Sequence, residues 1–113
     1  MKNDHEFDET LEKLKQELRR GVIVLAVLHQ LREEQYGYSL IKSLEESGFP
    51  ISQDTLYPLL RRLESQGLLD SEWRMEEPKP RRYYYLNQIG YRMLDLLKSE
   101  WQEQEKILRS LFS

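Results

Sequence analysis

The sequence predicts a mainly helical chain with one small β-hairpin: a winged helix-turn-helix set between an N-terminal helix and a long C-terminal one. Three observations carry that prediction. Apolar residues recur at helical spacing through most of the chain. Two short helical stretches, "YSLIKSLEES" and "DTLYPLLRRLES", are joined by a tight link. Two aromatic-rich runs, "LLDSEWRM" and "RRYYYL", flank the charged, proline-containing "EEPKP", and so read as strands around an exposed tip.

The elements follow in order. Asp8 is expected to cap the first helix, with Glu9 and Glu12 near its positive end, which leaves residues 1–7 as a disordered tail. Leu11, Leu14 and Leu18 mark a stripe at 3-then-4 spacing. Past Gly21 the segment "VIVLAVLHQL" is apolar almost all round, the pattern of a helix buried on several sides. Gly21 either bends one long helix or separates two. Gly37 is read as a turn residue, and the helix after it points Leu40, Ile41 and Leu44 inward and stops at Gly48. The next helix ends at Gly67 and starts from a cap at Ser52 or Asp54. Asp54 is the preferred start, because it keeps Pro58 near the first turn, where a lost backbone donor costs least. Asn87 caps the last helix, whose seam runs Gly90, Leu94, Leu97, Trp101, Gln104, Leu108, Leu111 at heptad spacing. Residues 8–87 therefore form the winged domain and 88–113 a dimerisation helix. A leucine stripe at each end calls for a partner, most simply a second copy of the chain, and the expected contact residues are Leu11, Leu14, Leu18, Leu94, Leu97, Trp101, Leu108 and Leu111.

Composition narrows the function. At 113 residues the chain is one domain, too small for a large enzyme cleft. It has no cysteine, which excludes disulfides and thiolate chemistry. No phosphate-binding glycine loop, nucleophile elbow or HExxH helix occurs, and no catalytic residues, metal site or cofactor are expected. His5 and His29 have no second ligand at metal spacing. The longest apolar run, Val22 to Leu28, is too short to span a bilayer, and the acidic N-terminus does not resemble a signal peptide, so a cytoplasmic protein is expected. Net charge is −3, yet Lys79, Arg81 and Arg82 cluster without an acid among them, so a basic surface can be local.

On a helical wheel of residues 54–66, Leu56, Leu59, Leu60 and Leu63 share one arc facing the core. Arg61 lies nearly opposite, with Tyr57 on one flank and Arg62 on the other. The first turn offers Ser52, Gln53, Asp54 and Thr55 at the positive end of the helix dipole. Hydroxyls, an amide and an arginine are the groups that bond phosphates and base edges in a major groove.

The run "YGYSLIKSLEESGFPISQDTLYPLLRRLESQGLLDSEW", followed by "PRRYYYLNQIG", resembles the PadR family of bacterial transcriptional regulators, in particular its smaller subgroup with a single C-terminal helix. The likeness covers residues 36–90 and rests on several linked motifs in order: the YGY helix start, the TLYP segment, the RLE-x-x-G-L turn, a tryptophan strand and a basic-tyrosine strand. Two departures are Asn87, where threonine is usual, and Asp54, an acid near the expected DNA face. The resemblance implies a homodimeric repressor on a palindromic operator of double-stranded DNA, released by a small aromatic or hydrophobic effector. It implies that Thr55 and Tyr57 bond phosphates and that Gln53 and Arg61 reach bases. Tyr38 would start the supporting helix and Lys79, Arg81 and Arg82 would form the wing. Ser52 completes the expected DNA face. Two recognition helices would lie about 34 Å apart on successive major grooves.

Strand alternation puts Tyr84 on the opposite face from Tyr83 and Tyr85, so the three rings cannot form one stacking platform. Trp73 is read as packing for the hairpin. Trp101, in the terminal heptad, is read as a ligand-binding residue near the dimer axis, with plain interface packing as the alternative. The rival to DNA binding is a winged-helix module that binds another protein, which the acidic total charge favours slightly.

Overall fold

The computed structural model describes residues 3–113. Asn3, not Asp8, caps the first helix: its side-chain oxygen accepts the Glu6 amide at 2.8 Å. Helix α1 then runs Asp4–Gln30. Residues 4–7 of the expected tail are thus helical, and Met1 and Lys2 lie outside the described residues. Asp8 is a competent cap, but Asn3 with Asp4 and Glu6 behind it is an equally good start earlier in the chain. Gly21 neither breaks nor ends the helix, and a Cβ there would meet nothing. The two halves of α1 differ in environment: Leu11, Leu14 and Leu18 are exposed, while Val27 and Leu28 are fully buried.

A two-residue strand β1 (Gln35–Tyr36) follows, which sequence patterning does not reveal. Helix α2 (Gly37–Glu46) buries Leu40 and Leu44 and packs Ile41 against the core. It ends as expected at Gly48, whose φ of 99° lets the Gly48 and Phe49 amides fold back onto the Glu45 and Leu44 carbonyls. Helix α3 (Gln53–Ser65) ends in the same way at Gly67. Its start corrects the preferred reading. Ser52 is the cap, its hydroxyl accepting the Thr55 amide at 3.3 Å, so Pro58 falls in the second turn. The proline leaves the Asp54 carbonyl without its helical donor, and Asp54 is exposed to water. Leu56, Leu59, Leu60 and Leu63 are all buried, as the wheel requires.

Strands β2 (Leu69–Arg74) and β3 (Arg81–Leu86) form the wing, and the antiparallel sheet has the order β1-β3-β2. The register pairs Ser71 with Tyr84 and Trp73 with Arg82. Alternation therefore turns Leu69, Ser71, Trp73, Arg82, Tyr84 and Leu86 to one face, and Tyr84 is the buried tyrosine of the three.

Helix α4 (Gln88–Phe112) starts from Asn87, whose side-chain oxygen accepts the Gly90 amide at 2.9 Å. Its seam is split. Gly90 and Leu94 are buried in the core of the same chain and Leu97 packs on that core, so Leu94 is removed from the expected dimer contacts. Beyond them Trp101, Leu108 and Leu111 are exposed. Among the described residues, no helix is long and apolar enough to cross a membrane.

Candidate nucleic-acid interface

The exposed first turn of α3 carries Gln53, Asp54 and Thr55, beside amide groups that aim at solvent. Ser52 is largely spent on the cap: besides accepting the Thr55 amide, its hydroxyl donates to Thr55 Oγ1 at 3.2 Å. Thr55 still has its own hydroxyl hydrogen to offer a phosphate. Tyr57, on the flank of α3, lies across Gly37 at the start of α2, and a Cβ on Gly37 would run into the Tyr57 ring and hydroxyl. Gly37 therefore serves close approach of the two helices as well as the turn. It seats Tyr57 next to the exposed Tyr38.

A groove of ≈ 600 Å³ lies between this end of α3 and the wing. It gathers Tyr38, Gln53, Tyr57, Lys79, Arg81 and Arg82 from the expected DNA face, together with Tyr36, Trp73, Pro80 and Tyr84. Ser52, Thr55 and Arg61 do not line it. They are exposed on α3 itself, outside the groove.

The wing cations are not equivalent. Lys79 is exposed near the hairpin tip and makes no ion pair among the described residues. Arg81 pairs with Glu76 at 3.4 Å, and its guanidinium lies 4.4 Å from the centre of the Tyr36 ring. Arg82 is committed inward, to Ser71 and Glu64, which counts against its expected role as a free wing contact. Arg74, which sequence reading passed over, is held by Glu34 and Glu72 and lies 4.2 Å above the Tyr83 ring. The hydrogen bond from Arg74 holds the Glu34 carboxyl below its usual range, and the Glu34 bond in turn raises Arg74. The Arg74–Glu34 pair fastens the outer wing to the loop after α1.

Trp73 departs most from expectation. It is 65% exposed and lines the groove, with the Arg82 guanidinium 5.9 Å from its ring centre. Alternation alone puts it on the same sheet face as Tyr84. It lies too far toward the tip for α3 to cover it. Tyr36 was also missed. It packs edge-on against Tyr83 with ring centres 5.4 Å apart, and no signal precedes it beyond the "YGY" run itself.

Residues 24–96 match the family described as "Transcriptional regulator PadR-like family". The chain belongs to the PadR-like family of transcriptional regulators. A crystal structure of a PadR family transcriptional regulator from Eggerthella lenta shares 46% identity, covers 96% of this chain and 97% of that one, and superposes with a TM-score of 0.91. Transcriptional regulator Rv3488 of Mycobacterium tuberculosis is 39% identical over 75 residues, spanning 66% of this chain and 70% of that protein. As a PadR-family member the protein regulates transcription through DNA and is not an enzyme, in line with its winged-helix fold.

A second concavity of ≈ 410 Å³ lies between the buried half of α1 and α4. Val22, Leu25, Ala26, Phe49, Leu94 and Trp101 give it an apolar wall, and His29, Gln30, Lys98 and Gln102 give it a polar edge. Trp101 is 45% exposed there. Partial desolvation first, then the charges of Arg32 and Lys98, hold the His29 imidazole below its usual range.

Proposed function

We propose that this PadR-family regulator is a homodimeric repressor acting in the cytoplasm on a palindromic operator. The convergence of α3, the start of α2 and the wing on one groove is the observation that carries this reading. Thr55 and Tyr57 bond phosphates, Gln53 and Arg61 reach bases, and Tyr38, Lys79 and Arg81 hold the flanking backbone. Ser52 shapes the helix end from which these contacts are made. Binding falls steeply with added salt, because phosphate contacts release counterions. The exposed leucines of α1 and α4 support pairing of two copies.

Arg61→Ala weakens operator binding about 5–150-fold, equivalent to about 1–3 kcal/mol for a lost base contact. Tyr57→Phe costs less. Gel shifts on the duplex that the wild-type protein selects from a random pool check both. Wild-type affinity for both variants takes α3 off the DNA, and failure to select any duplex favours the protein-binding alternative.

The apolar groove beside Trp101 suits a planar aromatic or hydrophobic effector, which would tilt α4 and change the separation of the two α3 helices. Trp101 fluorescence is expected to quench on titration with planar aromatic cations or phenolic acids, in step with release of DNA. A broad panel that quenches nothing leaves Trp101 as interface packing.

A further inference from the structure

Arg82 sits on β3 with its side chain turned toward α3. Its Nε donates to Ser71 Oγ on β2 at 3.0 Å, and its Nη2 donates to Glu64 Oε1 on α3 at 2.9 Å. The Ser71 hydroxyl donates to the other oxygen of the same carboxylate, Glu64 Oε2. Three hydrogen bonds thus close a ring through α3, β2 and β3. Two of them join the recognition helix directly to the wing. The guanidinium is also held 5.3 Å from the Tyr84 ring centre and sheltered by Trp73. Charge-assisted bonds in a partly shielded place are stronger and more directional than exposed ion pairs.

We propose that Arg82, Glu64 and Ser71 form a brace that sets the gap between the recognition helix and the wing, with Arg82 a positioning residue and not a DNA contact. This rests on the DNA-binding reading above and deepens it. The chemistry argues for the brace on a point of sign. Glu64 places a carboxylate on the recognition helix, where a negative charge repels phosphate and draws a cation away from it. If Arg82 served only to bind phosphate, Glu64 would work against it. If the pair serves to hold the groove at one width, both residues work together, and the phosphates are met by Lys79, Arg81 and the α3 terminus instead.

The two readings predict opposite outcomes for Glu64→Ala. The brace predicts that Glu64→Ala and Arg82→Ala each weaken binding to the selected duplex about tenfold. The double variant is no weaker than the worse single one, because both remove one coupled unit. The slope of affinity against salt stays at the wild-type value, since no phosphate contact is lost. Glu64→Ala binding as tightly as wild type or more so, with Arg82→Ala lowering the salt slope by about one, makes Arg82 a phosphate contact and overturns the proposal. A second arm uses no DNA: amide exchange in the free full-length protein. Faster exchange in β2 and β3 of both variants, with the α1–α4 core unchanged, supports the brace. Unchanged wing exchange removes it. Should the wild-type protein select no duplex, the DNA reading fails while the exchange arm still decides the brace.

Discussion

Replacing Leu18 and Leu111 together with aspartate is expected to give a folded monomer that binds the selected duplex at least about a hundredfold more weakly than the wild type. Both leucines are almost free of the chain that carries them, at 79% and 72% exposed, so the substitution removes little packing from the fold. With Leu11, Leu14 and Leu108 they form apolar stripes on α1 and α4 that stay exposed in the single chain. Burying a leucine stabilises by about 1.5–3 kcal/mol, and two per subunit become four in a pair. An aspartate in each place must instead be stripped of water without a partner. In the proposed dimer, loss of pairing would halve the phosphate contacts and remove the fixed spacing of the half-sites. Sedimentation checks the mass and circular dichroism the fold. An unchanged sedimentation profile would refute pairing through these stripes. Leu97 is a poorer target, because it packs on its own core and its loss would confuse unfolding with dissociation.

Much of this architecture was legible because local chemistry dictates it. Gly48 and Gly67 end helices since only a residue at ease with positive φ lets the next amides turn back, and both positions show it. Tyr84 was separable from its neighbours by alternation alone. Other features depend on partners remote in sequence. The heptad spacing of α4 marks an apolar seam without saying what covers it, and Leu94 proves to face the chain's own core while Leu108 does not. Arg82 looks like a free wing cation until Glu64, eighteen positions away, is seen beside it. Asn3 and Asp8 are both sound caps, and propensity cannot rank them. β1 is two residues long, too short for any period to appear.

Gly90→Ala is expected to lower the melting temperature by about 10 °C and to weaken DNA binding even where the protein stays folded. A Cβ at this position would run into the backbone carbonyl of Leu68 and would stand 2.9 Å from Leu86 Cδ2. A carbonyl in the chain cannot swing aside as a side-chain tip can, so α4 must lift. Overpacking of this kind costs up to about 3 kcal/mol, against which alanine's better helix propensity returns about 1. The Gly21→Ala variant is the control, since a Cβ at Gly21 meets nothing, and it should be neutral or slightly stabilising. The functional effect comes from what meets at Gly90. The Asn87 amide donates to the Leu68 carbonyl at 3.3 Å, its side-chain nitrogen to the Gly67 carbonyl at 3.0 Å, and its side-chain oxygen accepts the Gly90 amide. The end of α3 and the start of α4 therefore share one tight joint, with no slack in which a tilt of α4 can be absorbed. A molecule lodged beside Leu94 and Trp101 would press on α4 one to three turns from that joint, and the displacement would pass to the recognition helix through Leu68. Loosening the joint with Gly90→Ala should then blunt the response of DNA binding to an effector as well as the binding itself. A variant that melts with the wild type and binds DNA equally well would show that the joint is not tight, and the route from groove to recognition helix would have to be abandoned.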